Sequence, residues 1–194
     1  MGLFLQKTNI IRDYREDVDQ NRIFWPKEVW SKYADKIQDF TEERNSIKAN
    51  HCLNELIANA LQLIPDVLDY LSRIKDKNVF NFCAIPQVMA IATITLCFDN
   101  HEVFERNIKI PREETEKLIA GVAIYGMNSV YSSFNHYLNI ISSKVPQSDP
   151  NRKKYAANVW FYSELIIFYS ITDAITKARE IIEKKAPNVI SAKL

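Results

Sequence analysis

Glycine is scarce in this chain of 194 residues, which contains only 3 glycines and 7 prolines. A fold rich in β-sheet needs more glycine for its turns, so the composition favours helices. Neither sign of charge dominates, because 25 basic residues are balanced by 24 acidic ones for a formal net charge of +1. Since binding to nucleic acid depends on an excess of positive charge to neutralise phosphates, no nucleic-acid partner is expected.

Cysteine is also rare. Cys52, Cys83 and Cys97 are odd in number and show no CxxC spacing, so they indicate neither a disulfide framework nor a zinc site. Each lies in an apolar stretch, and we therefore expect three reduced thiols in a hydrophobic core.

Apolar residues recur at helical spacing through most of the chain, and the sequence predicts an all-α fold. The run 79–98 is apolar almost all round, which is typical of a helix at the centre of a bundle. We expect one helical domain over 1–150 and a linker plus a C-terminal helix over 151–194. The predicted helices span 3–18, 26–40, 47–74 with a kink at Pro65, 79–98 and 111–143, where Gly121 and Gly126 allow a close neighbour.

The C-terminal segment is predicted to be helical from Tyr155 to about Lys184. Its apolar run 159–171 is interrupted by Glu164 and is too short to span a bilayer. A central Glu would also cost about 2.5–3.5 kcal/mol in a membrane. The residues alone therefore favour a helix packed on the protein surface over a membrane anchor.

Polar side chains form one stripe on the first predicted helix. Gln6, Asn9, Asp13 and Asp17 fall at i, i+3, i+7 and i+11, and Glu16 lies beside them. The carboxylates of Asp13 and Asp17 repel each other unless a cation lies between them. Mg²⁺ often bridges one or two protein carboxylates to substrate phosphates, so the stripe is a candidate magnesium–diphosphate site. The alternative is a solvated helix surface, which is the commoner meaning of clustered charge.

Two long motifs extend this interpretation. The stretch NIIRDYRED, followed by Arg22 and by FWP at 24–26, resembles the second aspartate-rich motif of squalene synthases. The stretch FNFCAIPQVMAIAT at 80–93 resembles a second motif of the same family, and CLNEL and IPDVLDYLSR lie between them in the same order. The similarity is nearly continuous over 1–109 and weakens beyond. It implies a partial isoprenoid-synthase (terpenoid synthase) helical bundle.

The resemblance assigns roles to the polar residues. Asp13, Glu16 and Asp17 match the motif that binds Mg²⁺ and diphosphate, and Gln6 and Asn9 match amides of the same catalytic wall. Arg12 and Lys109 match positions of NADPH binding. Where the family tends to carry a further basic residue, this chain has Pro111 followed by Arg112, which weakens the NADPH match. A set of four residues matches the pocket wall for prenyl chains, although plain core is the alternative: Phe82, Cys83, Pro86 and Gln87.

The implied activity is that of a Mg²⁺-dependent prenyl transferase in sterol biosynthesis. Such an enzyme joins two farnesyl diphosphates head to head into presqualene diphosphate and reduces this product to squalene with NADPH. The resemblance also implies the cytosolic face of the endoplasmic reticulum membrane, with contact through the C-terminal helix. The chemistry that releases phytoene or dehydrosqualene is a third interpretation, which the FNFCAIPQ match and the NADPH positions disfavour.

This chemistry needs two facing aspartate-rich motifs, and the sequence contains one. We expect the first motif and its helices to belong before Met1, and the chain as given to be a truncated, inactive form. The alternative is a non-catalytic helical fragment with an interaction or regulatory role. In either case half a bundle exposes apolar faces, so self-association is expected.

Overall fold

The computed structural model describes residues 1–145, and every regular element within that range is helical. This confirms the all-α prediction. The C-terminal helix predicted for 155–184 and the domain boundary near 150 lie outside the described residues. Eight α-helices follow one another in this part of the chain: α1 (Gly2–Arg12), α2 (Tyr14–Asp19), α3 (Lys27–Trp30), α4 (Ser46–Leu61), α5 (Ile64–Ser72), α6 (Lys77–Cys97), α7 (Arg112–Tyr125) and α8 (Met127–Lys144).

Helix α6 is the centre of the bundle and packs against α1, α5, α7 and α8. It begins at an N-cap, where the Asp76 carboxylate accepts hydrogen bonds from the backbone N–H groups of Asn78 and Val79 at 2.8 and 2.9 Å. Within residues 1–145 it is the one helix long and apolar enough to cross a membrane. Its packing confirms instead the prediction of a central core helix.

The predicted helix 47–74 is two helices. Helix α4 ends at Leu61, and α5 begins at Ile64 with Pro65 in its first turn. Proline has no N–H to donate and has a backbone angle suited to a helix start, so it begins a new helix where the sequence indicated a kink.

The helix predicted over 26–40 is wrong. Helix α3 is a single turn that ends at Trp30, and the chain resumes as a 3₁₀ turn over Ile37–Thr41. The Tyr14 hydroxyl donates to the Ile37 carbonyl, and the Asp39 carboxylate accepts from the Lys36 N–H at 2.9 Å. These bonds occupy backbone groups that a continuous helix would have used, so tertiary contacts override the helical periodicity.

The helix predicted over 111–143 is also divided, because Gly126 adopts φ +58° and ψ −132° between α7 and α8. That conformation is open only to glycine without strain. The prediction of a close neighbour holds at Gly121, where a Cβ atom would lie 2.6 Å from Ser129 Oγ of α8, and is wrong at Gly126, where a Cβ atom would meet nothing within 4 Å. The two helices therefore pack tightly against each other beyond the break.

Candidate active site

The side chains of the acidic stripe stay aligned although the first predicted helix is broken. Helix α1 ends at Arg12 and α2 begins at Tyr14, with Asp13 between them at φ −90° and ψ 13°. The Asp13 N–H nevertheless donates to the Asn9 carbonyl and the Asp17 N–H to the Asp13 carbonyl, both at 2.9 Å. Because these are the bonds of an α-helix, Asn9, Asp13 and Asp17 stay aligned along one side.

The members of the stripe differ in burial. Gln6 and Asn9 are exposed, Asp13 is half-buried, and Asp17 is only 6% exposed. The two amides are therefore free to meet a ligand in solvent, whereas the last carboxylate lies inside the protein. A buried carboxylate is costly unless a partner neutralises it, so the partner of Asp17 matters for the chemistry of the site.

Asp13 is paired with its own neighbour. The Arg12 guanidinium donates from Nε to Oδ1 at 2.7 Å and from Nη2 to Oδ2 at 2.9 Å. This bidentate bond raises the pKa of Arg12 above its ordinary value, although partial burial opposes the shift. The side chain that the family resemblance assigns to NADPH is thus held against the side chain that it assigns to Mg²⁺.

Asp17 is paired with Arg22, which returns to it through a tight turn. Asn21 adopts a left-handed conformation at φ 55°, and the Arg22 N–H donates to the Asp17 carbonyl at 2.7 Å. The guanidinium then donates to Asp17 Oδ1 from Nη2 at 2.8 Å and from Nε at 3.1 Å. Its Nη2 also lies 3.9 Å from Glu16 Oε1. The sequence showed Arg22 only as a motif letter, and the turn explains its position.

Glu16 connects the stripe to a distant segment. Its Oε2 accepts from Asn107 Nδ2 at 2.9 Å across 91 positions, and its Oε1 accepts from Gln20 Nε2 at 3.4 Å. Asn107 lies two residues before the exposed Lys109. The bond therefore holds the segment that carries Lys109 beside the acidic stripe. Sequence reasoning missed Asn107 because nothing local in the sequence announces a contact at that separation.

An aromatic cluster supports the stripe from beneath. Tyr14, Trp25, Phe40 and Phe104 are all buried, and the Tyr14 ring centroid lies 4.8 Å from that of Trp25 and 5.0 Å from that of Phe104. Trp25 Nε1 donates to the Ile10 carbonyl at 2.8 Å. Burial raises the pKa of the Tyr14 hydroxyl well above its ordinary value, so this hydroxyl stays a donor. The FWP motif thus fixes the helix that carries the carboxylates.

The four predicted pocket residues of α6 do not share one face. Phe82 is 82% exposed, and Cys83 and Pro86 are half-buried. Gln87 is fully buried, and neither of its amide atoms has a hydrogen-bond partner within residues 1–145. At about 100° per residue, Gln87 lies about 140° around the helix from Phe82. The structure brings Phe82 and Pro86 to an open face and places Gln87 towards the core.

The basic residues near α7 differ in whether they are paired with an acidic side chain. Lys109 is exposed just before α7, whereas Arg112 pairs with Glu116 on its own helix at 2.8 Å. Pro111 is the residue before the helix and lacks a backbone N–H as well as a charge. Of the two positions that the resemblance connects with NADPH at this place, only Lys109 presents an uncommitted cation to solvent.

The donor set can be compared with the needs of Mg²⁺. Within residues 1–145 no group of three or more His, Cys, Asp and Glu side chains is arranged to hold a metal ion. Mg²⁺ commonly takes only one or two protein carboxylates and completes its shell with water and substrate phosphates. Asp13 and Asp17 fit that partial role as hard oxygen ligands, and each already neutralises a cation, its arginine. Arg12 and Lys109 fit the phosphates of a dinucleotide.

Known proteins resemble the chain both in sequence and in structure. Residues 1–114 match the sequence profile of squalene/phytoene synthases. The squalene synthase of Rattus norvegicus is 53% identical over 154 residues, which is 79% of this chain and 36% of that protein. The squalene synthase of Dictyostelium discoideum is 47% identical over 79% of this chain and 37% of its own length. A solved structure of TcSQS with the ligand E5700 superposes with a TM-score of 0.82 at 37% identity, covering 86% of this chain and 48% of that one.

The all-α bundle superposes on that solved structure and has the isoprenoid-synthase fold, as the family resemblance implied. The chain belongs to the squalene/phytoene synthase family. The resemblance to squalene synthases is thereby confirmed. The chain spans little more than a third of the length of the curated relatives that it matches.

Proposed function

We propose that this chain forms one wall of a squalene synthase active site. The reaction is the head-to-head condensation of two farnesyl diphosphates to presqualene diphosphate, followed by NADPH-dependent reduction to squalene in sterol biosynthesis. The observation that carries the proposal is the stripe of Asn9, Asp13 and Asp17, which the helical bonds keep aligned across the break at Asp13. The relatives named squalene synthase from Rattus norvegicus and Dictyostelium discoideum support the same assignment.

Asp13 and Asp17 would hold Mg²⁺ together with a substrate diphosphate, and Glu16 would support them. Mg²⁺ supplies neutralisation of the departing diphosphate, which lowers the barrier to ionisation of an allylic substrate. Asp13 would release Arg12 when it takes up this role, because the bidentate bond covers both of its oxygens, whereas Arg22 bonds only Oδ1 of Asp17. The exposed amides of Gln6 and Asn9 would orient phosphate oxygens or bound water on the same side.

The open face of α6 would bind the prenyl chains. Phe82 presents an exposed ring, and Pro86 and Cys83 add apolar surface beside it. Such a face excludes water from a reacting cation, which would otherwise be quenched. Gln87 would line the pocket from the core side of α6, because its amide is buried and has no partner within residues 1–145.

Arg12 and Lys109 would bind the phosphates of NADPH. The cofactor supplies a hydride for the reductive step. Lys109 is exposed and available, and Asn107 holds its segment against Glu16 of the stripe. Arg12 is now bidentate to Asp13 and would turn to the cofactor phosphates when that carboxylate takes up Mg²⁺.

The chain in isolation is expected to be inactive. Residues 1–145 present one acidic stripe, whereas the ionisation of two diphosphates calls for two. A second candidate function is a non-catalytic helical fragment with an interaction or regulatory role. It is favoured by the large apolar side chains that the described residues leave exposed on several helices: Leu3, Phe82, Ile124 and Tyr125. We further propose that the protein lies at the cytosolic face of the endoplasmic reticulum membrane, in contact with it through the C-terminal segment, which lies outside the described residues.

The test is product analysis after incubation of the purified chain with farnesyl diphosphate, Mg²⁺ and NADPH. Mg²⁺-dependent binding of farnesyl diphosphate is measured in parallel by calorimetry. The double variant Asp13→Asn, Asp17→Asn removes the stripe. Asp19→Asn is the matched control, because Asp19 lies on the same helix but is exposed and paired with Arg15.

We expect Mg²⁺-dependent binding that the double variant loses and the control keeps, without squalene formation. Squalene that disappears in the double variant would support the function and refute the inactivity. Binding that is independent of Mg²⁺ and equal in all three proteins would refute the active-site proposal and leave the interaction fragment.

A further inference from the structure

Asp17 and Arg22 differ in how firmly the rest of the protein holds their side chains. The Asp17 side chain is 9% exposed and its backbone N–H is bonded within the helical ladder. The Arg22 side chain is 45% exposed and follows a turn outside any helix. The carboxylate is therefore fixed inside the protein, while the guanidinium can move into solvent without disturbing the core.

Arg22 also has other partners within reach. Its Nη2 lies 3.9 Å from Glu16 Oε1, and its guanidinium carbon lies 5.9 Å from the centroid of the Phe24 ring. The Glu16 contact and the cation–π contact can hold an arginine that has left its main carboxylate. Departure from Asp17 thus leaves Arg22 with two of its three interactions.

Both bonds of this guanidinium end on Asp17 Oδ1, so a divalent cation that binds Asp17 meets a positive charge that is already at the carboxylate and opposes it. The left-handed turn at Asn21 and the bond from the Arg22 N–H to the Asp17 carbonyl return the arginine to the same place whenever the site is otherwise empty. The Arg22 guanidinium is tethered to the chain and always present, so it competes with a free divalent cation for Asp17. A phosphate group changes the balance, because arginine can form two parallel bonds to a phosphate, whereas Arg22 bonds only one oxygen of Asp17.

We propose that Arg22 is the resident counter-ion of Asp17 and lowers the affinity of the acidic stripe for a divalent cation until a diphosphate takes the guanidinium over. This inference rests on the proposed function, which places the cation at Asp13 and Asp17. It adds a positioning residue that makes binding of the cation and of the diphosphate mutually dependent. The exchange also protects a buried carboxylate from standing unpaired.

The experiment measures binding of Mn²⁺, used as a paramagnetic substitute for Mg²⁺. Free Mn²⁺ is quantified by electron paramagnetic resonance during titration of the purified 194-residue chain, with and without inorganic pyrophosphate. Arg22→Gln removes the counter-ion. Arg15→Gln is the matched control, because Arg15 pairs with the exposed Asp19 on the same helix and lies outside the proposed site. Both variants lose one positive charge, so the control corrects for net charge.

We expect Arg22→Gln to bind Mn²⁺ alone about tenfold more tightly than the unmodified chain, the factor that corresponds to one charge-assisted bond. Pyrophosphate should enhance Mn²⁺ binding strongly in the unmodified chain and in Arg15→Gln, and weakly in Arg22→Gln. Arg22→Lys keeps the charge without the bidentate fork and should fall between the two. If Arg22→Gln does not fold, Arg22→Lys alone still decides whether weaker pairing raises the affinity.

Equal or weaker Mn²⁺ binding by the Arg22 variants, with measurable binding by the unmodified chain, would overturn the counter-ion and leave the metal site standing. The failure of the proposed function has a different signature. In that case no protein binds Mn²⁺ even with pyrophosphate, or the binding is the same in the double variant Asp13→Asn, Asp17→Asn. That result would overturn the metal site and the counter-ion together.

Discussion

The two faces of α6 are similar in sequence and opposite in environment. Towards the core, Val88 and Ile91 are fully buried, and Gln87 lies among them. On the other side Phe82 is 82% exposed and Pro86 is half-buried. A helix that is apolar all round normally has neighbours all round, so the contrast marks the side that residues 1–145 leave open. The open side is where the proposed function places the prenyl chains, and four predictions test the contrast.

The largest effect is expected on the buried face. Ile91→Ala should lower the free energy of unfolding by about 2–5 kcal/mol, because it removes buried methyl groups and leaves a cavity at the centre of the bundle. Phe82→Ala, which deletes a larger side chain on the open face, should change stability by less than about 0.5 kcal/mol. Urea denaturation followed by circular dichroism measures both. Equal losses would mean that the two faces are packed alike in solution.

This contrast could not be predicted from sequence. The periodicity predicted α6 almost to its ends, because a run of apolar residues between polar flanks needs no tertiary information. It could not say which side of α6 the neighbours cover, since both sides are apolar. The acidic stripe was predictable because its spacing depends only on local sequence, and the backbone bonds through Asp13 preserve that spacing.

What the sequence could not predict depends on contacts between distant residues. The helix expected over 26–40 fails because Tyr14 takes the Ile37 carbonyl. The partner of Glu16 comes from Asn107, 91 positions away. Arg22 reaches Asp17 only because Asn21 adopts a left-handed conformation, which a motif read as letters does not reveal.

A smaller effect of opposite sign is expected at Gln87. Replacement by methionine keeps the length of the side chain and removes two buried polar atoms that have no partner within residues 1–145. Gln87→Met should therefore be neutral or stabilise the chain by about 1 kcal/mol. Gln6→Met is the control, because Gln6 is an exposed amide and its replacement should leave the unfolding midpoint unchanged. A clear loss of stability in Gln87→Met would indicate that the amide is bonded in solution.

The open face should reveal itself by self-association rather than by stability. Exposed apolar side chains on several helices predict a concentration-dependent increase in apparent mass, measured by size-exclusion chromatography with light scattering. Phe82→Ser should reduce this association with a change in stability of less than about 0.5 kcal/mol. Lys77→Ser, an exposed position at the start of the same helix, is the control. A monodisperse monomer at every concentration would show that the face is covered.

The least perturbing test uses two cysteines of α6 without any substitution. Cys83 is half-buried in the N-terminal half of α6, whereas Cys97 is fully buried at its C-terminal end, and burial raises the pKa of the Cys97 thiol to about 12. The thiolate is the nucleophile, so at pH 8 almost no Cys97 is in the reactive form, and its burial also blocks the reagent. Iodoacetamide labelling followed by peptide mass spectrometry should modify Cys83 first in the native chain and both cysteines equally in urea. Burial raises the pKa of the Cys52 thiol on α4 as well, so Cys52 should be protected from labelling in the native chain in the same way as Cys97. Because labelling requires no mutation, early reaction at Cys97 would show directly that the covered C-terminal end of α6 opens, and the contrast between the covered and the open parts of this helix would then fail.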